Sequence, residues 1–167
     1  MLNYVAPEAL LAPLVPAGVD LDRWRGTLYV SVVGFLFRDT RVLGLPIPAH
    51  RTFPEVNLRF YVRREGAGET RRGVVFIREL VPRHAIALVA RALYNEPYRA
   101  LPMQHALVAD GERGAFTREY AWRAGSEWTR LSAHTVGGSR TLEVNSEEEF
   151  ITEHYWGYTR QRDGGTV

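Results

Sequence analysis

The stretch Glu55-Val56-Asn57-Leu58-Arg59-Phe60-Tyr61-Val62-Arg63-Arg64 decides the fold. Val56, Leu58, Phe60 and Val62 alternate with Glu55, Asn57, Arg59, Tyr61 and Arg63, the period of two that a β-strand imposes on its side chains. Gly66-Ala67-Gly68 marks a loop, and Arg72 to Val81 reads as a second strand, so the two form an antiparallel hairpin. The polar row Glu55, Asn57, Arg59, Tyr61 then has two readings. Inside a small closed barrel it lines a cavity, where Arg59 can grip a carboxylate through two parallel hydrogen bonds. On an open sheet it is the solvated face.

Glu79 belongs to the apolar run Val74 to Val81. Adjacent strand residues point to opposite faces, so only one of Arg78 and Glu79 enters a given cavity. A charge in so apolar a strand needs a partner if buried. Arg59 and Glu79 read as partners across the hairpin, either as a structural ion pair or as groups that do chemistry.

Working outward, Thr27 to Phe37 is a strand apolar on both faces, hence buried on both sides. Before it, Pro7 opens a short helix over Glu8 to Leu11 that Pro13, Pro16 and Gly18 terminate. After the hairpin, Ala85 to Tyr94 has helical spacing, and Leu101 to Ala109 reads as a strand. Phe116 to Ala124 and Trp128 to Val136 flank Gly125-Ser126 as a second hairpin. Ser146 with Glu149 forms a capping box that opens a helix through about His154. Trp156 to Arg162 reads as a strand followed by the turn signal Asp163-Gly164-Gly165. That turn, with only two residues after it, predicts a missing return strand. Either the chain is truncated at its C-terminal end or another molecule supplies the strand, one form of which is a homo-oligomer through an unpaired terminal strand. Six or seven antiparallel strands with two or three helices give a single α+β domain over residues 1–167, closed into a barrel.

Composition narrows the chemistry. The 167 residues are 46% apolar and 24% charged, enough for one substantial core and too apolar for disorder. All 21 basic residues are arginine, and there is neither lysine nor cysteine. Lysine Schiff bases, P-loop lysines, thiolate nucleophiles and Cys-ligated metals are thereby excluded. Net charge is only +2 and no basic patch is evident, so nucleic acid is disfavoured. No apolar run approaches the roughly 20 residues of a membrane span, and no signal peptide is visible, so the expected location is cytoplasmic. Histidines 50, 84, 105, 134 and 154 are too widely spaced to suggest a metal site. No cofactor is expected.

Two further stretches mix chemical groups. Tyr94-Asn95-Glu96-Pro97-Tyr98-Arg99 places phenols, a carboxylate and a guanidinium on a loop after a helix, although Asn95 and Pro97 also serve as its terminator. His154-Tyr155-Trp156-Gly157-Tyr158 offers an imidazole beside aromatics, as a proton-transfer wall or as ordinary core.

These stretches, with Leu14-Val15-Pro16-Ala17-Gly18, Val42-Leu43-Gly44-Leu45-Pro46-Ile47-Pro48 and Glu149-Phe150-Ile151-Thr152-Glu153-His154, resemble the YqjF-like proteins, a bacterial family of uncharacterised function whose fold is similar to acetoacetate decarboxylase. The resemblance implies a mainly antiparallel, cone-shaped β-barrel with two or three helices, with the Arg59 and Glu79 face pointing into a central cavity. That decarboxylase forms a Schiff base on a lysine after a Gly-aromatic-Pro segment. Here the counterpart is Asn95-Glu96-Pro97-Tyr98 with no lysine, so decarboxylation through an iminium does not carry over.

The expectation is a cavity that takes a small anionic or carbonyl ligand, as a lysine-independent lyase, isomerase or hydratase, or as a non-catalytic binding or sensing module. Glu79 and His154 are the candidate catalytic residues. Arg59, Asn57, Glu55, Tyr61, Tyr94, Glu96 and Tyr98 are the candidate ligand-binding residues.

Overall fold

The computed structural model describes residues 1–42, 45–46, 52–66, 68–109 and 115–167. In chain order the elements are β1 (Leu2–Val5), α1 (Glu8–Leu11) with a 3-10 turn over Ala12–Leu14, β2 (Asp20–Leu21), β3 (Tyr29–Phe37), β4 (Arg41–Val42) and β5 (Leu45–Pro46). There follow β6 (Phe53–Glu65), β7 (Thr70–Val81), α2 (His84–Tyr94), β8 (Tyr98–Ala100), β9 (Met103–Ala109), β10 (Phe116–Ala124), β11 (Glu127–His134), α3 (Glu147–Thr152) and β12 (Trp156–Gly157).

The β6–β7 hairpin is the centre of a seven-stranded sheet ordered β1-β3-β6-β7-β12, with β2 added to β6 and β8 to β7. The pairings are antiparallel except β7–β8 and β7–β12, which are parallel. A second sheet runs β11-β10-β9, and β4 pairs with β5. The chain is therefore strand-rich α+β, as its patterning requires. The expected closed barrel is not among these sheets: the described strands form three separate sheets, and none returns to its own first strand. The Leu43–Pro48 connection and His50 lie largely outside the described residues.

A β-bulge sets the chemistry of the central hairpin. Arg63 pairs with Arg72, and Arg59 with Phe76, but Leu58 pairs with Arg78, so Ile77 is an extra residue on β7. Uninterrupted pairing from Arg63–Arg72 would set Arg78 opposite Asn57. The extra residue puts Glu79 there instead, because a one-residue shift exchanges the faces of a strand. Arg78 is exposed and Glu79 is buried.

The two faces of this sheet are covered differently. Beneath the Val56–Val62 face, the N-terminal segment packs Leu11, Val19 and Leu28 on Phe60, Val62 and Val75. The second sheet packs Tyr120 and Leu131 on Val56 at the other end. Gly34 permits this approach, because a Cβ there would lie 2.5 Å from the Tyr120 ring. On the Glu55–Tyr61 face, α3 seats Phe150 and Ile151 on Tyr29, Tyr61 and Val74, while α2 places Ala87 on Phe53 and Val81.

Local signals act as their chemistry dictates. The Ser146 hydroxyl accepts from Glu149 N at 3.1 Å, capping α3, which ends at Thr152 rather than His154. Trp156–Gly157 is a two-residue strand rather than one reaching Arg162, paired with Gly73 and Val74 of β7. The Asp163–Gly165 turn is closed locally. After the Asp163–Gly165 turn, Thr159 and Val167 exchange two backbone hydrogen bonds, of 2.8 and 3.2 Å. Arg160 anchors the turn by donating to the Val15 carbonyl at 2.8 Å.

Candidate acid–base site

The polar row of β6 is not solvated. Glu55 is 1%, Asn57 2% and Glu79 2% exposed, so two carboxyls share one dry face of the hairpin. The loop after α2 completes the cluster. Asn95 takes the left-handed conformation (φ 53°) that stops the helix, and Glu79 N donates to the Pro97 carbonyl at 3.3 Å. Tyr98 thereby falls in parallel register with Glu79. Its hydroxyl donates to Glu55 Oε2 at 2.9 Å, and Asn57 Nδ2 donates to Glu55 Oε1 at 3.2 Å.

Burial raises the Glu79 carboxyl to about 9, helped by the charges of Glu55 and Glu96. Burial also raises Glu55, to about 7, against the opposing hydrogen bonds from Asn57 and Tyr98 and with help from Glu96. Glu96 and the Tyr98 phenol are raised by burial as well. At neutral pH these shifts favour the protonated form of Glu79, while Glu55 stands near the balance point. Environments that separate two carboxyls in this way separate an acid from a base.

Three polar atoms of this face have no hydrogen-bond partner among the described residues: Asn57 Oδ1, Arg59 Nε and Glu79 Oε2. Buried polar atoms are otherwise almost always paired. The Arg59 guanidinium lies 5.8 Å over the Tyr61 ring. No ion pair joins it to Glu79 among the described residues, because the bulge aligns Arg59 with Phe76 instead.

Lower on the same face, Tyr61 shares a 2.6 Å hydrogen bond with the Ser31 hydroxyl, which donates to Asn3 Oδ1 at 2.7 Å. The His154 ring packs 4.7 Å from the Tyr61 ring. Its Nε2 lies 3.1 Å from Asp22 Oδ2, which also accepts from Arg72 Nε at 2.7 Å. Burial opposes ionisation of Asp22, but these two partners prevail and hold its carboxyl below the ordinary range.

The structure thus brings Glu55, Asn57, Glu79 and Tyr98 together, with Glu96 acting through its field. Arg59 and Tyr61 follow on the same face. His154 belongs to a neighbouring cluster with Asp22, and no described contact joins it to the acid pair. The side chain of Tyr94 lies outside the described residues. Sequence reasoning missed Asp22 and Ser31. Ser31 had a signal, a hydroxyl in a strand apolar on both faces, whereas Asp22, 132 positions before His154, had none.

A family model described as an uncharacterized conserved protein matches residues 1–167. The chain belongs to this family, DUF2071. A curated relative of this DUF2071 chain, the uncharacterized protein YqjF of Bacillus subtilis (strain 168), is 28% identical over 167 residues, covering 96% of this chain and 64% of the relative. Among solved structures it is similar to acetoacetate decarboxylase from Legionella pneumophila, with a TM-score of 0.57 and 14% identity, over 99% of this chain and 58% of that one. That likeness establishes an acetoacetate-decarboxylase-like fold. The chain spans less than two thirds of the length of each. Among the described residues of the DUF2071 chain, no three acidic or histidine side chains are grouped to hold a metal ion, and no helix is long and apolar enough to cross a membrane.

Proposed function

We propose that the Glu55–Asn57–Arg59–Glu79–Tyr98 face lines the cavity of a cone-shaped barrel and binds a small anionic or carbonyl compound, beside whose carbonyl the acid pair moves a proton. The observation that carries this reading is the trio of buried, unpartnered atoms on one face, Asn57 Oδ1, Arg59 Nε and Glu79 Oε2. A ligand carboxylate accepts from Arg59 Nε and a ligand carbonyl accepts from protonated Glu79 Oε2, while Asn57 Oδ1, an acceptor, takes a hydroxyl or N–H donor of the same ligand. Arg59 holds the carboxylate. The Glu55 carboxylate removes a proton from the carbon next to the carbonyl while Glu79 gives its own proton to the carbonyl oxygen, forming an enol; the reverse step returns Glu55 to its carboxylate and Glu79 to its acid form. With no lysine in the chain, an enol rather than an iminium is the intermediate, which suits an isomerase, hydratase or lyase.

A non-catalytic binding module is the second reading, favoured by the engagement of His154 with Asp22 away from the acid pair. The two are separated by proton NMR of pyruvate and acetoacetate in D2O. Catalysis predicts protein-dependent exchange of the protons next to the carbonyl, reduced about 100-fold or more by Glu55→Gln. Binding that Arg59→Ala weakens, without exchange, supports the module. Absence of both binding and exchange overturns the site.

A further inference from the structure

On the opposite side of the central sheet the two sheets part to leave a cleft of about 410 Å³. β3 contributes Gly34 and Leu36 to it, Arg38 follows just after the strand's end, and β10 contributes Phe116, Arg118 and Tyr120. The strand residues of each set have the alternate spacing of one strand face. We propose that this cleft is a second binding site, for an amphiphilic monocarboxylate of medium chain length.

The floor is apolar and closed. Tyr120 and Leu131 are each 5% exposed, and Gly34 meets the Tyr120 ring there. The mouth is charged: Arg38 is exposed and Arg118 half-buried. Neither arginine has an ion-pair partner among the described residues. The acid next to Arg118, Glu119, points to the other face of β10 and pairs with Arg130 at 3.3 Å. The lining therefore carries two guanidiniums and no carboxylate above an apolar floor. That arrangement complements one oxyanion on an apolar body. At roughly 30 Å³ per non-hydrogen atom, the share of a liquid water, a ten-atom ligand such as octanoate needs about 300 Å³ and fits.

This site does not depend on the acid–base reading. Gly34 pairs with Val56, on the apolar face of the sheet, so the sheet itself separates the cleft from Glu55 and Glu79.

The test is titration of the purified chain with octanoate, followed by calorimetry and by the backbone amide signals of residues 116–120. Saturable binding is expected. Arg38→Ala and Arg118→Ala should each weaken it about tenfold, the usual share of a charge-assisted hydrogen bond. Ala133→Phe, which fills the cleft from β11 at an exposed position, should abolish it. Acetate, lacking the tail, and octan-1-ol, lacking the charge, should bind at least tenfold more weakly. Binding should persist in Arg59→Ala, which distinguishes this cleft from the acid–base face. The thermal unfolding midpoint of each variant verifies folding, and if Ala133→Phe does not fold, the two arginine variants decide. The proposal is overturned if wild type does not bind octanoate at millimolar concentration, or if the Arg38→Ala/Arg118→Ala double variant binds it unchanged. Loss of binding in Arg59→Ala also overturns it. So does concentration-dependent self-association that Ala133→Phe abolishes while octanoate has no effect, because a second copy would then be the occupant.

Discussion

The two faces of the β6 strand differ by one residue in register and by their whole energetic logic. Val56, Phe60 and Val62 pack against apolar residues of the N-terminal segment, β7 and the second sheet. Their contribution is area removed from water, which is insensitive to pH. Glu55 and Asn57, with Glu79 across the strand, are as deeply buried, yet they hold carboxyls out of water with polar atoms left unpaired. Such burial costs stability. That cost is offset by the apolar contacts on the same face, where Phe150 and Ile151 cover Tyr61 and Val74, and Ala87 covers Phe53 and Val81.

The largest test of this contrast is Phe60→Ala. Phe60 is fully buried, and its truncation should remove about 3–5 kcal/mol in urea unfolding at any pH where the chain is folded. Glu79→Gln should do the opposite. Glu79 titrates at about 9 when folded against 4.5 as its ordinary value, so the folded state holds a proton that the unfolded state has lost. Its contribution to stability is therefore full below pH 4.5, declines as pH rises, and is exhausted above about pH 9. Gln carries no proton to lose, so the variant should match wild type at pH 4 and exceed it at pH 8, the gap widening by about 1.4 kcal/mol for each pH unit above 4.5. A loss at pH 8 would show that Glu79 is an ordinary ion-pair partner.

Smaller effects probe the boundaries between the faces. Gly34→Ala drives a methyl into the Tyr120 ring and should cost about 1–3 kcal/mol by overpacking. Tyr61→Phe removes the 2.6 Å hydrogen bond to Ser31 while Ser31 keeps Asn3, for a loss of about 1 kcal/mol in thermal or urea unfolding.

The same contrast explains what the sequence disclosed. Strict alternation from Glu55 to Arg63 was enough to place Glu55, Asn57, Arg59 and Tyr61 on one face, because side-chain direction in a strand is local. It did not disclose the extra residue Ile77, since a bulge depends on pairing and leaves no mark on composition. Arg59 and Glu79 therefore read as partners although Asn57 is the residue opposite Glu79. Tyr98 was legible as a candidate, but its hydrogen bond to Glu55 depends on a parallel pairing after a helix. The Asp22–His154 contact is entirely tertiary. At the end of the chain the Asp163–Gly165 turn was legible, and the backbone pairing of Thr159 with Val167 across it was not.

The central claim is that folding holds Glu55 and Glu79 as a protonatable pair on a dry face. Carbon-detected NMR of the glutamate side-chain carboxyls across pH 3–10 tests it most directly. The account predicts that the pair titrates in two steps with apparent midpoints of about 7 and about 9, and that Glu79→Gln removes the upper step. Titration of both carboxyls at or below the ordinary value of 4.5 would contradict it.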